Sequence, residues 1–178
     1  MWILNSRLLI WLAAIAIALM SAPLPPAAAD DERPVPVGEF AAGTLRFPDD
    51  GVVIEGFLGG AARFYVSPRI SVGPEIAYIQ GDRHSHLMLT GNVTCDLARP
   101  PSGAPRAVTP FIVAGGGLFR TRERFTNRGV FTSSDGAFTA GGGVRARVGK
   151  YLMLGAEARI GWELHIRLNG LLGVRLGR

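Results

Sequence analysis

The residues best suited to chemistry in this chain are the two histidines of a short His84-Ser85-His86 motif. Imidazole nitrogens are common ligands of zinc and related metals, but two ligands are too few and nothing nearby completes the set. Ser85 beside a histidine could also suggest a hydrolase, which needs a serine, a histidine and a carboxylate held together. Because the motif falls in a polar loop, we expect no metal site, no catalytic residue and no cofactor, so the chain is not expected to be an enzyme.

Two glycine triplets, Gly115 to Gly117 and Gly141 to Gly143, are the next candidates, because phosphate-binding loops are rich in glycine. Such a loop must open a helix, whereas the residues after each triplet alternate between apolar and polar as they do in a strand. The sequence therefore argues against a nucleotide-binding site.

Four arginines are concentrated in one short stretch of the chain: Arg120, Arg122, Arg124 and Arg128. Guanidinium groups bind phosphates through charge-assisted, often bidentate hydrogen bonds. The cluster is a candidate contact for an anionic surface, and a solvated loop with scattered charges is the alternative. The formal net charge of +5 comes from a modest excess of arginine and does not indicate a nucleic-acid partner.

The elements that must position these residues are predicted to be strands. The 178 residues include 24 glycines and 12 prolines, with 48% hydrophobic and 19% charged residues. Glycine at this frequency excludes an ordinary helical domain, because each glycine in a helix costs about 1 kcal/mol relative to alanine. The length suits one modest domain, so a single β-rich domain is predicted.

The first 29 residues have the pattern of a secretory signal peptide, with an apolar run over residues 8–20 and small residues before a predicted cleavage after Ala29. The apolar run is shorter than the ~20 residues that a membrane-spanning helix needs. We expect residues 30–37 to be a flexible leader and residues 38–178 to be the folded domain. Cys95 is the one cysteine of the chain, so no intramolecular disulfide can form after export.

Eight segments have the composition of strands and are separated by turn residues. In six of them one face carries no charged residue, while charged and polar residues occupy the other face. For the first and fifth segments, the sequence does not decide which face corresponds to the charged face of the other six. The predicted fold class is an all-β, closed, antiparallel up-and-down barrel of about eight strands. The segments are Gly38–Phe47, Val52–Val66, Ile70–Gln80, Leu87–Leu97, Val108–Thr121, Ala137–Val148, Leu152–Ile160 and Ile166–Leu176.

The direction of the two faces distinguishes two kinds of barrel. In a soluble barrel the apolar face points inward, whereas in a small outer-membrane barrel it faces lipid and polar residues fill the lumen. Long strands, and short turns that alternate with a longer polar stretch from Glu123 to Gly136, favour the membrane barrel. His165 is expected to be a solvated residue at the rim. The charges expected to neutralise one another in a plugged lumen are Glu55, Arg63, Glu75, Asp96, Arg145, Arg147, Glu157, Arg159 and Arg167.

Three stretches carry a resemblance to a known family: RISVGPEIAYIQGD at residues 69–82, LTGNVTCDL at 89–97 and PFIVAGGG at 110–117. From about Gly38 to Leu176 the chain resembles the small eight-stranded outer-membrane β-barrels, the group of opacity proteins and outer-membrane-protein-A transmembrane domains. The resemblance implies a barrel that is exported by its signal peptide, inserted by the barrel-insertion machinery, and oriented with its longer loops outside.

The sequence therefore predicts an integral outer-membrane protein of a Gram-negative-type cell, with a structural or surface-interaction role. Its expected partners are outer-membrane lipid and lipopolysaccharide, the latter through the arginine cluster, and we expect a monomer without nucleic acid. Two alternatives stay open: a soluble periplasmic barrel that carries a small apolar ligand, and a narrow, weakly selective pore.

Overall fold

The computed structural model describes residues 35–49, 51–81, 84–98, 108–125, 129–149, 151–161 and 164–176. The predicted signal peptide and residues 30–34 of the predicted leader lie outside these ranges. Within them, no helix is long and apolar enough to cross a membrane.

Eight strands form one closed antiparallel barrel, in which each strand pairs with the next and β8 pairs with β1. The predicted fold class is confirmed. Because the closing pair joins ten residues of β1 to β8, from Val37 opposite Arg175 to Arg46 opposite Ile166, the sheet has no open edge there. The strands are β1 (Val37–Asp49), β2 (Gly51–Tyr65), β3 (Ile70–Gln80), β4 (His84–Asp96), β5 (Val108–Phe125), β6 (Gly129–Val148), β7 (Leu152–Gly161) and β8 (His165–Arg175).

The up-and-down order gives the barrel two different rims. The terminal rim contains the first residue of β1, the last residue of β8 and the connections β2–β3, β4–β5 and β6–β7. The distal rim contains the connections β1–β2, β3–β4, β5–β6 and β7–β8. The distal rim is therefore the end at which the arginine cluster and the His84-Ser85-His86 motif lie.

Alternation along the strands places the apolar face outside and the charged face inside. In β7, Leu154, Ala156 and Ala158 are exposed, whereas Glu157 and Arg159 between and beside them are buried. β8 alternates in the same way along ten of its eleven residues. This is the inverse of a soluble barrel, in which apolar side chains fill the core.

The structure also shows which face of β1 and of β5 points inward, which the sequence did not decide. In β1, Val37 and Leu45 point inward, and in β5, Phe111, Val113 and Phe119 do so. From Val108 to Phe119 both faces of β5 are largely apolar, because inward side chains pack in apolar clusters of the interior and outward ones join the exposed apolar surface.

The prediction of a long loop from Glu123 to Gly136 is wrong, because β5 continues to Phe125 and β6 begins at Gly129. Residues 129–138 pair with β5 alone, so this hairpin continues past the pairing of β6 with β7. Gly129, the first residue of β6, has a φ of 85°, a conformation that glycine adopts without steric cost. The β3–β4 loop is also shorter than predicted, since β4 begins at His84.

Candidate functional site

The middle of the barrel is crossed by a network of buried ion pairs, here called the central network. Glu75 lies in the middle of β3 and Glu157 in the middle of β7, four strands apart in the barrel. Arg159 Nη1 lies 2.9 Å from Glu75 Oε2, and Arg167 Nη1 donates to Glu75 Oε1 at 2.6 Å. Both arginines also donate to Glu157, Arg159 Nε at 2.7 Å and Arg167 Nη2 at 3.1 Å. The network therefore joins opposite walls.

Burial makes this pairing necessary. Each of the four charged side chains is at most 7% exposed, and a charge removed from water is costly unless it is paired and hydrogen-bonded. Asn92 Nδ2 donates to Glu75 Oε2 at 2.8 Å, and Asn169 Nδ2 donates to Glu157 Oε1 at 3.3 Å. Two acids, two arginines and two amides thus fill the middle of the lumen.

A second group of charges, here called the terminal-rim network, lies nearer the terminal rim. Arg145 contacts Asp96 at 3.1 Å and Glu39 at 3.1 Å, and Arg63 Nη2 donates to Glu39 Oε1 at 2.6 Å. Tyr65 donates its hydroxyl hydrogen to Asp96 at 3.2 Å. Sequence reasoning missed Glu39, because the orientation of β1 was open. The closing β1–β8 pair supplies the orientation, since Glu39 shares its face with the buried Val37 and Leu45.

The interior is not uniformly polar, which corrects the expectation of a lumen filled by polar side chains. One apolar cluster is formed by Phe111, Val113 and Leu171, and the Phe111 ring lies 3.4 Å from the Arg145 guanidinium carbon. A cation over an aromatic face is an attractive contact. A second cluster is formed by Leu45, Phe57, Ala77, Ile79, Met88 and Phe119.

Arg147, one of the charges expected to be neutralised in the lumen, is half-buried and has no ion-pair partner among the described residues.

Glu55 has a different set of neighbours from the one that the sequence suggested. It is 2% exposed and contacts His84 and His86 rather than an arginine. The expectation that nothing nearby completes a ligand set with the two histidines is therefore wrong, since Glu55 reaches them from β2, about thirty positions earlier in the chain. His165 is 3% exposed, which corrects its expected position as a solvated residue.

Among the described residues, the exposed arginine side chains lie at the distal rim. Arg120 and Arg122 are exposed on the outward face of β5, and Arg46 is exposed on the outward face of β1. No ion-pair partner of these three is found among the described residues. The side chain of Arg124 is not described and Arg128 lies outside the described residues, so the structure places two members of the predicted cluster on one outward face. Arg46 is at the same rim but on β1, four strands from β5 and therefore on the opposite side of the eight-stranded barrel.

Comparison with solved structures identifies barrels of the same kind. Neisserial surface protein A has a TM-score of 0.66 at 14% identity, covering 79% of this chain and 96% of that one. The N-terminal β-barrel domain of Pseudomonas aeruginosa OprF has a TM-score of 0.62 at 10% identity, covering 80% and 98%. Ail of Yersinia pestis, in complex with the heparin analogue sucrose octasulfate, has a TM-score of 0.57 at 9% identity, covering 80% and 99%.

The structural similarity and the strand order establish the fold, which is that of the small eight-stranded outer-membrane β-barrels. No family model and no curated protein matches the sequence.

Proposed function

We propose that this chain is an integral outer-membrane β-barrel with a structural or surface-interaction role and no catalytic activity. The observation that carries the proposal is the outward apolar face, because a large apolar surface exposed to water would drive aggregation, whereas lipid accepts it. The solved barrels of this fold include a surface protein and an attachment protein by their own descriptions.

The height of the apolar surface supports a membrane location. On β8 and just beyond it, outward apolar residues run from Ile166 to Leu176, ten residue steps. At ~3.3 Å per step this is about 33 Å along the strand, and a tilt of ~40° reduces it to about 25 Å, the height of the apolar band of such barrels.

Exposed aromatic residues lie toward both rims, as they do where a barrel crosses the two membrane interfaces. Phe64 and Tyr151 are exposed near the terminal rim. Tyr78 and Phe138 are exposed near the distal rim. Their rings can lie at the level of the lipid headgroups, which favours one depth of the barrel in the bilayer.

The two alternatives are less well supported. A carrier of an apolar ligand requires the apolar faces of the strands to line a cavity, but these faces point outward. A pore requires a continuous aqueous path, but the central network connects β3 to β7 and β8 with side chains that are almost fully buried.

Fractionation of cells that produce the full chain tests the proposal. We expect the protein in the outer membrane, with different gel mobility before and after boiling, and a mature N-terminus at Asp30 by mass spectrometry. Extraction by detergent, but not by carbonate, is the accompanying control. Recovery as a freely soluble periplasmic protein would contradict the membrane location.

The distal-rim arginines carry the surface part of the proposal, a contact with lipopolysaccharide. Arg46, Arg120 and Arg122 point away from the barrel at one rim, where outer-leaflet phosphates would lie if this rim faces outward. Ail, a barrel of this fold, has been solved in complex with a polysulfated ligand, sucrose octasulfate. Each guanidinium can form paired hydrogen bonds with a phosphate.

Binding of lipopolysaccharide by the refolded protein in detergent tests this contact. We expect Arg120→Gln combined with Arg122→Gln to weaken binding and to reduce its salt dependence, because two charge-assisted contacts are lost. Arg69→Gln, which removes one positive charge from the β2–β3 turn at the opposite rim, should leave binding unchanged. Equal weakening by both changes would show only a general effect of net charge.

A further inference from the structure

We propose that Glu55, His84 and His86 form a binding site for a divalent transition metal of the zinc type inside the distal rim. One ligand atom from each of the three side chains lies within 4.8 Å of the others. Two imidazoles and one carboxylate are a ligand set that zinc and its neighbours accept, with water completing the coordination. The site does not depend on the membrane location proposed above.

The fold, and not the local sequence, assembles this donor set. His84 and His86 are alternate residues at the start of β4, so their side chains share the inward face. Their ring centroids are 5.0 Å apart. Glu55 lies on β2, which is separated from β4 by β3, and its side chain crosses the inner surface to reach both rings.

The carboxylate of Glu55 is buried without a permanently charged partner among the described residues. Its side chain is fully buried, and its Oε2 atom has no hydrogen-bond partner among the described residues. His84 Nε2 contacts Oε1, and His86 Nε2 lies 3.7 Å from Oε2, too far for a hydrogen bond. No arginine or lysine in the described part of the chain neutralises this carboxylate. A divalent cation between the three groups would do so.

Thr121 on β5 orients the ring of His86 toward the site. The Nδ1 atom of His86 lies 3.0 Å from the Thr121 hydroxyl oxygen. When Nδ1–H donates to that oxygen, the lone pair of Nε2 is directed at Glu55, which is the form that binds a metal. Phe119 stacks on the same ring with centroids 4.8 Å apart and limits its rotation.

Gly81 leaves the space in which the donors meet. A Cβ at this position would lie 2.6 Å from Glu55 Oε1 and 2.7 Å from His84 Nε2. Both atoms are the ends of flexible side chains, so an alanine at this position would displace them from their present places without disturbing the backbone. His84 is 28% exposed at the rim, so a metal can enter from solvent.

Zinc titration of the untagged, refolded full-length protein in detergent micelles, followed by calorimetry, tests the site. We expect one zinc per chain. Glu55→Gln and His86→Ala should each weaken binding at least about a hundredfold, because each change removes a metal ligand. Loss of a group that only supports a ligand already costs about 10–100-fold. Gly81→Ala, which keeps all three ligands, should weaken it as well. Asp135→Asn removes an exposed carboxylate on β6 and should bind zinc as the wild type does.

Cobalt replaces zinc as a spectroscopic probe of the same site. We expect Co²⁺ to give visible absorption bands of a four- or five-coordinate complex in the wild type and not in Glu55→Gln. The heat-dependent gel mobility of each variant shows whether it is folded. Absence of zinc binding by the folded wild type, or equal binding by folded Glu55→Gln, would overturn the proposal.

Discussion

Glu75 has partners on three other strands of the barrel. It accepts hydrogen bonds from Arg167 and Asn92 and forms an ion pair with Arg159, and these partners come from β8, β4 and β7. One carboxylate therefore ties three other strands to β3. A buried ion pair adds little stability over an apolar pair, but loss of one partner leaves the other charge without compensation.

We expect Glu75→Gln to lower the free energy of unfolding by about 3–5 kcal/mol, because Arg159 and Arg167 would keep only Glu157. Urea unfolding in detergent measures this. The exposed Asp135→Asn is the matched control and should change the value by less than about 0.5 kcal/mol. Addition of Arg159→Met should cost less in Glu75→Gln than in the wild type, since one of the two acidic partners of Arg159 is already gone. A Glu75→Gln protein as stable as the wild type would contradict the role of the network.

At the scale of the element, each strand separates two environments with a period of two residues. β7 shows this most simply, because Ala156 and Ala158 face outward while Glu157 between them is buried in the central network. Side-chain size on the outer face is free to vary, but charge is not if that face contacts lipid.

We expect Ala156→Arg, in the middle of the outward face of β7, to destabilise the barrel in lipid vesicles by about 2–4 kcal/mol. An arginine there would place its charge near the centre of the apolar band. Val66→Arg, at the terminal rim, is the control and should cost at most about 1 kcal/mol, because the cost falls toward the interface. Equal stability of the two variants in vesicles would argue against a lipid-facing surface.

At the scale of the whole molecule, closure combines an apolar exterior with an interior that is packed by side chains. Eight strands enclose a space wide enough for side chains only. The central network, the terminal-rim network and the two apolar clusters occupy it in the described residues.

We expect the purified protein to give no steady single-channel current in a planar lipid bilayer, because the side chains from opposite walls meet in the central network. Replacement of both Arg159 and Arg167 by Ala removes the two side chains that cross the lumen and should give measurable current if the variant folds. Stable open steps in the wild type would instead support the narrow pore.

The sequence by itself determined the number of strands, the face that carries charge in six of them and the short connections β2–β3 and β6–β7. These features are local, because alternation and turn chemistry depend on neighbours in the chain. Only the tertiary structure decided which face points inward, how β1 and β5 are oriented, and which charges meet. Arg167 reaches Glu75 across 92 residues, and Glu55 reaches His84 across 29. Such contacts follow from barrel closure, which brings distant strands together and which no local pattern contains.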